Sequence, residues 1–143
     1  MTKYSVPLRV ACALMLMLVV GGAAPRGQDA VDGSWELTAY EGSANVGNAS
    51  GLLTFAAGRF SLVYTMEEPG GRTSGRAHAG RFETRGGTLT LQVDWNVQYV
   101  SGKGQANRGA AARTVKIGRE GDSLTLTFDN GSIQRFRRVR AVK

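Results

Sequence analysis

The sequence has few of the residue types that build covalent or metal-centred sites. Its one cysteine, Cys12, lies in an apolar run near the start, and its one histidine is His78. The chain beyond that run therefore has no disulfide, no thiol nucleophile and no thiolate metal site. A lone histidine offers no metal pair and has no serine or cysteine partner at a recognisable spacing. We expect no metal, no cofactor and no enzymatic activity, and we interpret His78 as a partly exposed strand residue.

Helical patterning is also absent beyond the first residues. No later run repeats apolar residues at helical spacing, and proline occurs only three times. The chain instead has 20 glycines, which separate short stretches of alternating apolar and polar residues. This composition is typical of short strands joined by tight turns. With 143 residues there is room for one such domain with one core.

Residues 1–24 have the three parts of a secretory signal peptide. Lys3 and Arg9 give the positive start, residues 10–20 the apolar middle, and residues 21–24 are Gly-Gly-Ala-Ala. The apolar run is shorter than the roughly 20 residues of a membrane-spanning helix. Cys12 lies within that run, whereas a lipoprotein signal places its cysteine after it. We predict a linker over 25–32, a periplasmic or secreted location, and no stable membrane insertion after cleavage; an uncleaved anchor is the alternative.

Positive charge exceeds negative charge, with 18 Lys and Arg against 11 Asp and Glu. The basic residues cluster only near the end of the chain, at Arg135, Arg137, Arg138, Arg140 and Lys143. Such a cluster can attract nucleic acid or anionic lipid, or it can keep a solvated edge strand from pairing with other chains. For an exported β-domain we favour the edge strand, and we expect no nucleic-acid partner.

Alternation with a period of two predicts the strands. The longest example spans residues 88–99, whose apolar face holds Leu89, Leu91, Val93, Trp95, Val97 and Tyr99. Eight such stretches follow one another within residues 33–143, with no crossover helix and with two long loops, 42–50 and 101–112. An antiparallel meander of this kind closes most simply into an eight-stranded up-and-down β-barrel. A β-sandwich is the alternative, but it normally needs longer connections.

Three stretches resemble those of a known family. Gly33-Ser34-Trp35 resembles the Gly-x-Trp signature that opens the first strand of lipocalins and related calycin barrels. Residues 51–61 are similar to the second hairpin of bacterial lipocalin-like domains, and residues 134–139 to their basic last strand. The resemblance spans nearly all of 33–143, although the disulfide common in lipocalins is absent. It implies a barrel closed at one end by Gly33 and Trp35, with Arg137 or Arg138 stacked on the tryptophan.

A small eight-stranded barrel is either filled by its own side chains or holds one small ligand. The residues that we expect to line such a cavity are Phe55, Phe60, Leu62, Leu91, Val93, Trp95, Tyr99 and Phe128. The polar face of the long strand, with Gln92, Asp94 and Asn96, is expected to meet solvent.

We therefore predict a non-catalytic barrel that binds a small apolar or amphipathic molecule. One alternative is a filled barrel that binds or inhibits a protein partner through its two long loops. A barrel enzyme is a third hypothesis, but no acid–base pair is visible to support it.

Overall fold

The computed structural model describes residues 30–42, 48–68, 70–100, 102–109 and 112–140. Every regular element in these ranges is a β-strand, which confirms the all-β class. The strands of these ranges are β1 (Gly33–Glu41), β2 (Ala49–Ala56), β3 (Arg59–Glu68), β4 (Arg72–Arg85), β5 (Thr88–Val100), β6 (Lys103–Arg108), β7 (Arg113–Glu120), β8 (Ser123–Phe128) and β9 (Ile133–Arg138). The predicted signal peptide and linker residues 25–29 lie outside the described residues, as do residues 43–47 of the first predicted loop.

Eight of these strands form a closed antiparallel barrel. In the order β4-β3-β2-β1-β9-β8-β7-β5 each strand is hydrogen-bonded to the next, and β4 pairs with β5 to close the ring. Within this ring, strands that follow each other in the chain are neighbours, and tight turns such as Ala57-Gly58 and Gly86-Gly87 join β2 to β3 and β4 to β5. The predicted up-and-down barrel is therefore confirmed, and the β-sandwich alternative is wrong.

The remaining strand, β6, extends the sheet outside the closed ring. Residues 88–91 of β5 pair with β7, whereas residues 95–100 of β5 pair with Lys103–Arg108 of β6. With 13 residues, β5 is long enough to serve both partners. The prediction of a loop over 101–112 is thus wrong for this segment. Its residues, KGQANR, carry no apolar alternation, and the strand forms because the outer half of β5 offers backbone groups to pair with.

A β-bulge in β5 exchanges the two faces of that strand. Trp95 lies opposite Ala79 and Val93 lies opposite Gly80, so that Asp94 is an extra residue on β5. Because side chains alternate along a strand, one extra residue moves every later side chain to the other face. Gly80 makes the bulge possible, because a Cβ there would collide with the backbone of β5.

A second bulge lies in β1, where Thr38 is the extra residue. Leu37 lies opposite Phe136, and the next paired residue of β1, Ala39, lies opposite Arg135. The Thr38 hydroxyl donates a hydrogen bond of 3.1 Å to the backbone carbonyl of Arg135. Before the bulge the odd-numbered residues of β1, such as Leu37, face the interior. Beyond the bulge the even-numbered Tyr40 faces the interior instead.

The end of the barrel that holds the start of β1 is closed by Trp35, which is completely buried. Its indole Nε1 donates a hydrogen bond of 2.7 Å to the carbonyl of Val31. The guanidinium of Arg138 lies 4.4 Å from the ring centroid of Trp35 and donates a 3.0 Å hydrogen bond to the carbonyl of Asp32. Gly33, with a φ of +125°, brings the backbone close beneath that guanidinium. The predicted closing contact is therefore found at Arg138.

Arg137 does not take part in this closure. It alternates outward and forms a surface ion pair of 2.9 Å with Glu36. Arg135 likewise pairs with Glu41 at 2.8 Å, and Arg140 pairs with Asp122. The strand that carries most of these arginines, β9, lies between β1 and β8. The interpretation of the basic cluster as a protected edge strand is wrong, because β9 is an interior strand of the closed ring.

The apolar core fills the closed half of the barrel. Its most deeply buried side chains are those of Val31, Trp35, Leu53, Phe55, Leu89, Val115, Leu124, Leu126 and Phe136. Burial of one large apolar side chain stabilises a fold by about 1.5–3 kcal/mol. Packing also fixes these positions: the rings of Phe55 and Phe82 meet edge to face with centroids 4.7 Å apart. The described side chains therefore pack this end of the barrel closely.

Candidate ligand-binding site

A cavity lies in the half of the barrel opposite Trp35. Its volume is about 110 Å³, far more than the roughly 10–15 Å³ that one water needs and less than the roughly 300 Å³ of drug-sized sites. The apolar side chains that line it are Leu53, Phe60, Leu62, Leu91, Val93, Leu126 and Phe128. The polar ones are Tyr40, Tyr64, Arg76, His78, Arg113, Asn130, Ser132 and Gln134. The cavity thus has an apolar wall and a polar mouth.

Five of the eight predicted cavity residues line this space: Phe60, Leu62, Leu91, Val93 and Phe128. Phe55 is buried but lies in the core, where its ring packs against Phe60 and Phe82. The structure brings the lining residues together because the inner faces of β3, β5 and β8 converge across the barrel.

The prediction that Trp95 and Tyr99 line the cavity is wrong. Trp95 is 50% exposed and Tyr99 is 47% exposed, because the bulge at Asp94 turns both to the outer face of β5. The guanidinium of Arg108 on β6 lies 4.5 Å from the ring centroid of Trp95. Asn96, which was expected to meet solvent, lies opposite His78 with a buried side-chain oxygen.

Three aromatic rings stack in a row across the inner wall near the mouth. Tyr40 and Tyr64 have ring centroids 6.2 Å apart, and Tyr64 and His78 have centroids 6.4 Å apart, each pair inclined by 24°. Tyr40 enters this row through the bulge at Thr38, whereas Tyr64 and His78 follow the regular alternation of β3 and β4. The row therefore places two phenols and an imidazole beside the cavity.

His78 is buried, with only 7% of its surface exposed, so its interpretation as a partly exposed residue is wrong. Burial lowers the pKa of His78 from 6.5 to about 4, and the nearby charges of Arg113 and Arg76 act in the same direction. The imidazole is therefore neutral at pH 7. Burial also raises the pKa of the Tyr64 phenol, while the charge of Arg76 opposes this rise, so that this phenol keeps its proton at pH 7.

Two arginines reach the mouth from different strands. Arg76 lies on β4 opposite Tyr64 of β3, and Arg113 begins β7 opposite Leu91 of β5. Within the described residues, no carboxylate lies within ion-pairing distance of either guanidinium, and the cavity lining there contains no Asp or Glu. The mouth of the cavity is therefore positively charged.

Gln134 presents an unpaired polar atom beside the cavity. The side chain is 2% exposed, and its Oε1 accepts no hydrogen bond from the described part of the protein. A buried acceptor without a partner costs about 1–3 kcal/mol. A water or a ligand in the cavity would supply the missing donor.

Sequence reasoning missed Arg76, Arg113, Tyr40 and Gln134. Alternation alone could have found two of them, because Arg76 shares the parity of the apolar Phe82 on β4, and Arg113 that of Val115 on β7. Alternation could not have found Tyr40, because the bulge in β1 moves its side chain from the outer to the inner face of the strand.

No group of three His, Cys, Asp or Glu side chains in the described ranges could hold a metal ion. The described ranges also contain no helix long and apolar enough to cross a membrane. Comparison of the chain with models of protein families, with curated proteins and with solved structures gives no match. The fold and the site therefore define the protein only as a closed eight-stranded β-barrel with one additional strand and a small interior cavity.

Proposed function

We propose that this chain is an exported, lipocalin-like barrel that holds one small amphipathic molecule in its interior without catalysis. The observation that carries the proposal is the cavity between the inner faces of the strands, lined by apolar side chains below and by polar side chains at its mouth. Pockets with a mostly apolar wall and a few convergent polar groups are the usual form of small-molecule sites.

Two further observations support the finer parts of the proposal. The Trp35–Arg138 contact at the closed end is the one that the resemblance to lipocalins implies, which favours a place in the calycin superfamily. The three-part pattern of residues 1–24 favours export to the periplasm or the medium.

A binding function is favoured over catalysis by the surroundings of His78. Among the described residues that line the cavity there is no carboxylate and no thiol. An imidazole that acts as a general base is usually oriented by an acidic partner and placed beside a nucleophile. No Asp or Glu side chain in the described lining can orient the His78 imidazole.

The test uses the protein lacking residues 1–24. Native mass spectrometry first shows whether a small molecule copurifies with it, and calorimetric titration then measures its binding of hexan-1-ol, a small uncharged amphiphile. We expect a copurified small molecule or saturable binding. Leu62→Trp places a large ring in the cavity and should abolish binding. Val63→Trp is the matched control, because the neighbouring Val63 lies on the outer face of the same strand and is 52% exposed. Thermal unfolding of both variants shows that they fold.

A protein-interaction or inhibitor function is the second candidate. It is favoured by three large apolar side chains on the outer face of β5, Trp95, Val97 and Tyr99, which are each more than two-fifths exposed. This function requires no ligand in the interior. An apo mass together with no saturable binding of small amphiphiles would reject the carrier function and leave this outer strip as the functional surface.

A further inference from the structure

We propose that the ligand of this cavity is a carboxylic acid with a short apolar tail, whose carboxylate is held at the mouth by Arg76 and Arg113. The inference rests on the proposed binding function and adds the chemical class of the ligand. The two guanidinium groups, from β4 and β7, border one cavity whose described lining contains no negative charge.

Arg76 and Arg113 differ from the ion-paired arginines in their position, because they border the cavity. Arg59 and Arg81 share Asp94, at 3.3 and 3.6 Å. Three arginines of the end cluster also pair with carboxylates: Arg137 with Glu36, Arg135 with Glu41 and Arg140 with Asp122. All of these pairs lie on the outer surface, where they contribute little. Arg76, in contrast, is half-buried beside Tyr64, and a partly desolvated cation gains most from an anionic partner.

The positions of the charges along the barrel set the direction of the ligand. On β3 and β4, the pair Tyr64–Arg76 lies nearer the mouth than Leu62–His78, and Phe60 is deeper still. A carboxylate at the arginines would therefore direct its tail toward Phe60 and Leu62. The cavity volume of about 110 Å³ limits that tail to a short chain or a single small ring.

The neutral groups around the mouth fit an acid of this kind. Tyr64 keeps its proton at pH 7 and can donate a hydrogen bond to a carboxylate oxygen, since burial raises its pKa. The unpaired Oε1 of the buried Gln134 offers a hydrogen-bond acceptor to a polar guest in the cavity. That oxygen can accept a hydrogen bond from a hydroxyl on the tail of the acid.

The experiment compares hexanoate with hexan-1-ol, which share a tail and differ in the head group. Both are titrated by calorimetry at pH 7 into the wild-type protein and into Arg76→Gln, Arg113→Gln and the double variant. Arg81→Gln is the matched control, because Arg81 lies on β4 as Arg76 does but faces outward to Asp94. Thermal unfolding verifies that each variant is folded.

We expect hexanoate to bind more tightly than hexan-1-ol, and each cavity variant to weaken hexanoate by about tenfold, as the loss of one charge-assisted hydrogen bond predicts. The double variant should bind both compounds alike, and Arg81→Gln should match the wild type. Equal binding of the two compounds to the wild type, or hexanoate binding that is unchanged in the double variant, would overturn this inference and leave the proposed function standing. Failure of both compounds to bind would overturn the proposed function as well.

A second measurement needs no variant. A carboxylate held between Arg76 and Arg113 accepts hydrogen bonds from both guanidinium groups, whereas the uncharged hydroxyl of hexan-1-ol offers no anionic partner. Saturating hexanoate at pH 7 should therefore shift the Nε–H resonances of Arg76 and Arg113 strongly, while saturating hexan-1-ol should leave them nearly unchanged. The same shifts with both compounds would contradict a specific site for the head group.

Discussion

Acidification from pH 7 to pH 5 should destabilise this protein because of one residue, His78. The unfolded chain binds a proton on this imidazole near pH 6.5, whereas burial beside Arg113 and Arg76 lowers the pKa in the folded protein to about 4. Between these two values the unfolded state carries more protons than the folded state. Lowering the pH through this window therefore stabilises the unfolded state, and the free energy of unfolding falls.

The size of the effect follows from the two pKa values. At pH 5 the imidazole is almost fully protonated in the unfolded chain and almost fully neutral in the folded protein. With about 1.4 kcal/mol per pKa unit, the free energy of unfolding therefore falls by about 2 kcal/mol between pH 7 and pH 5. Among the described residues, the carboxyl groups with perturbed pKa values are Glu41 and Asp122, whose pKa values Arg135 and Arg140 lower from the usual 4.5 and 3.8. Their contribution is lost only at lower pH, which leaves this window to His78.

The assay is urea unfolding of the protein lacking residues 1–24 at a series of pH values between 7 and 5, with the same series for His78→Gln. The wild type should lose about 2 kcal/mol across the series, and the variant, which has no imidazole, should lose much less. An NMR titration of the His78 ring protons gives the folded pKa directly. A folded pKa near 6.5, or the same pH dependence in both proteins, would refute the reasoning.

Three further predictions concern the architecture. Arg138→Gln should lower the free energy of unfolding by about 1–3 kcal/mol through loss of a cation–π contact and a partly buried hydrogen bond, while Arg137→Gln should change it by less than about 1 kcal/mol. Urea unfolding of both variants measures these changes, and equal effects would contradict the assigned closure. Gly80→Ala should cost about 3 kcal/mol through collision with the β5 backbone, whereas Gly75→Ala on the same strand meets only ordinary contacts and should be tolerated. Trp95→Phe should remove most of the quenching of tryptophan fluorescence by acrylamide, because Trp95 is exposed and Trp35 is buried, and it should leave stability nearly unchanged. If acrylamide does not quench the fluorescence of the wild type, Trp95 lies inside the barrel and the assignment is wrong.

Sequence by itself determined the class of the fold and the closed end of the barrel. Alternation of apolar residues, interrupted by glycine-rich turns, specifies strands that can bury only one face. Because the connections between these strands are short, each strand pairs with its neighbour in the chain. The Gly33-Ser34-Trp35 motif and the arginines of the last strand likewise indicated the closing contact. Which arginine stacks followed only from the register, in which Arg138 lies opposite Trp35.

Tertiary structure decided which of the inward-facing residues meet in the interior near the mouth. The alternation in residues 88–99 predicted one continuous apolar face, but the bulge at Asp94 divides it, and a bulge depends on the partner strand as well as on the strand that contains it. Here the partner residue is Gly80, which is distant in the sequence and lets the two backbones approach. The candidate site has the same origin, because Arg76, His78 and Arg113 come from β4 and β7, and only closure of the barrel brings them to one cavity.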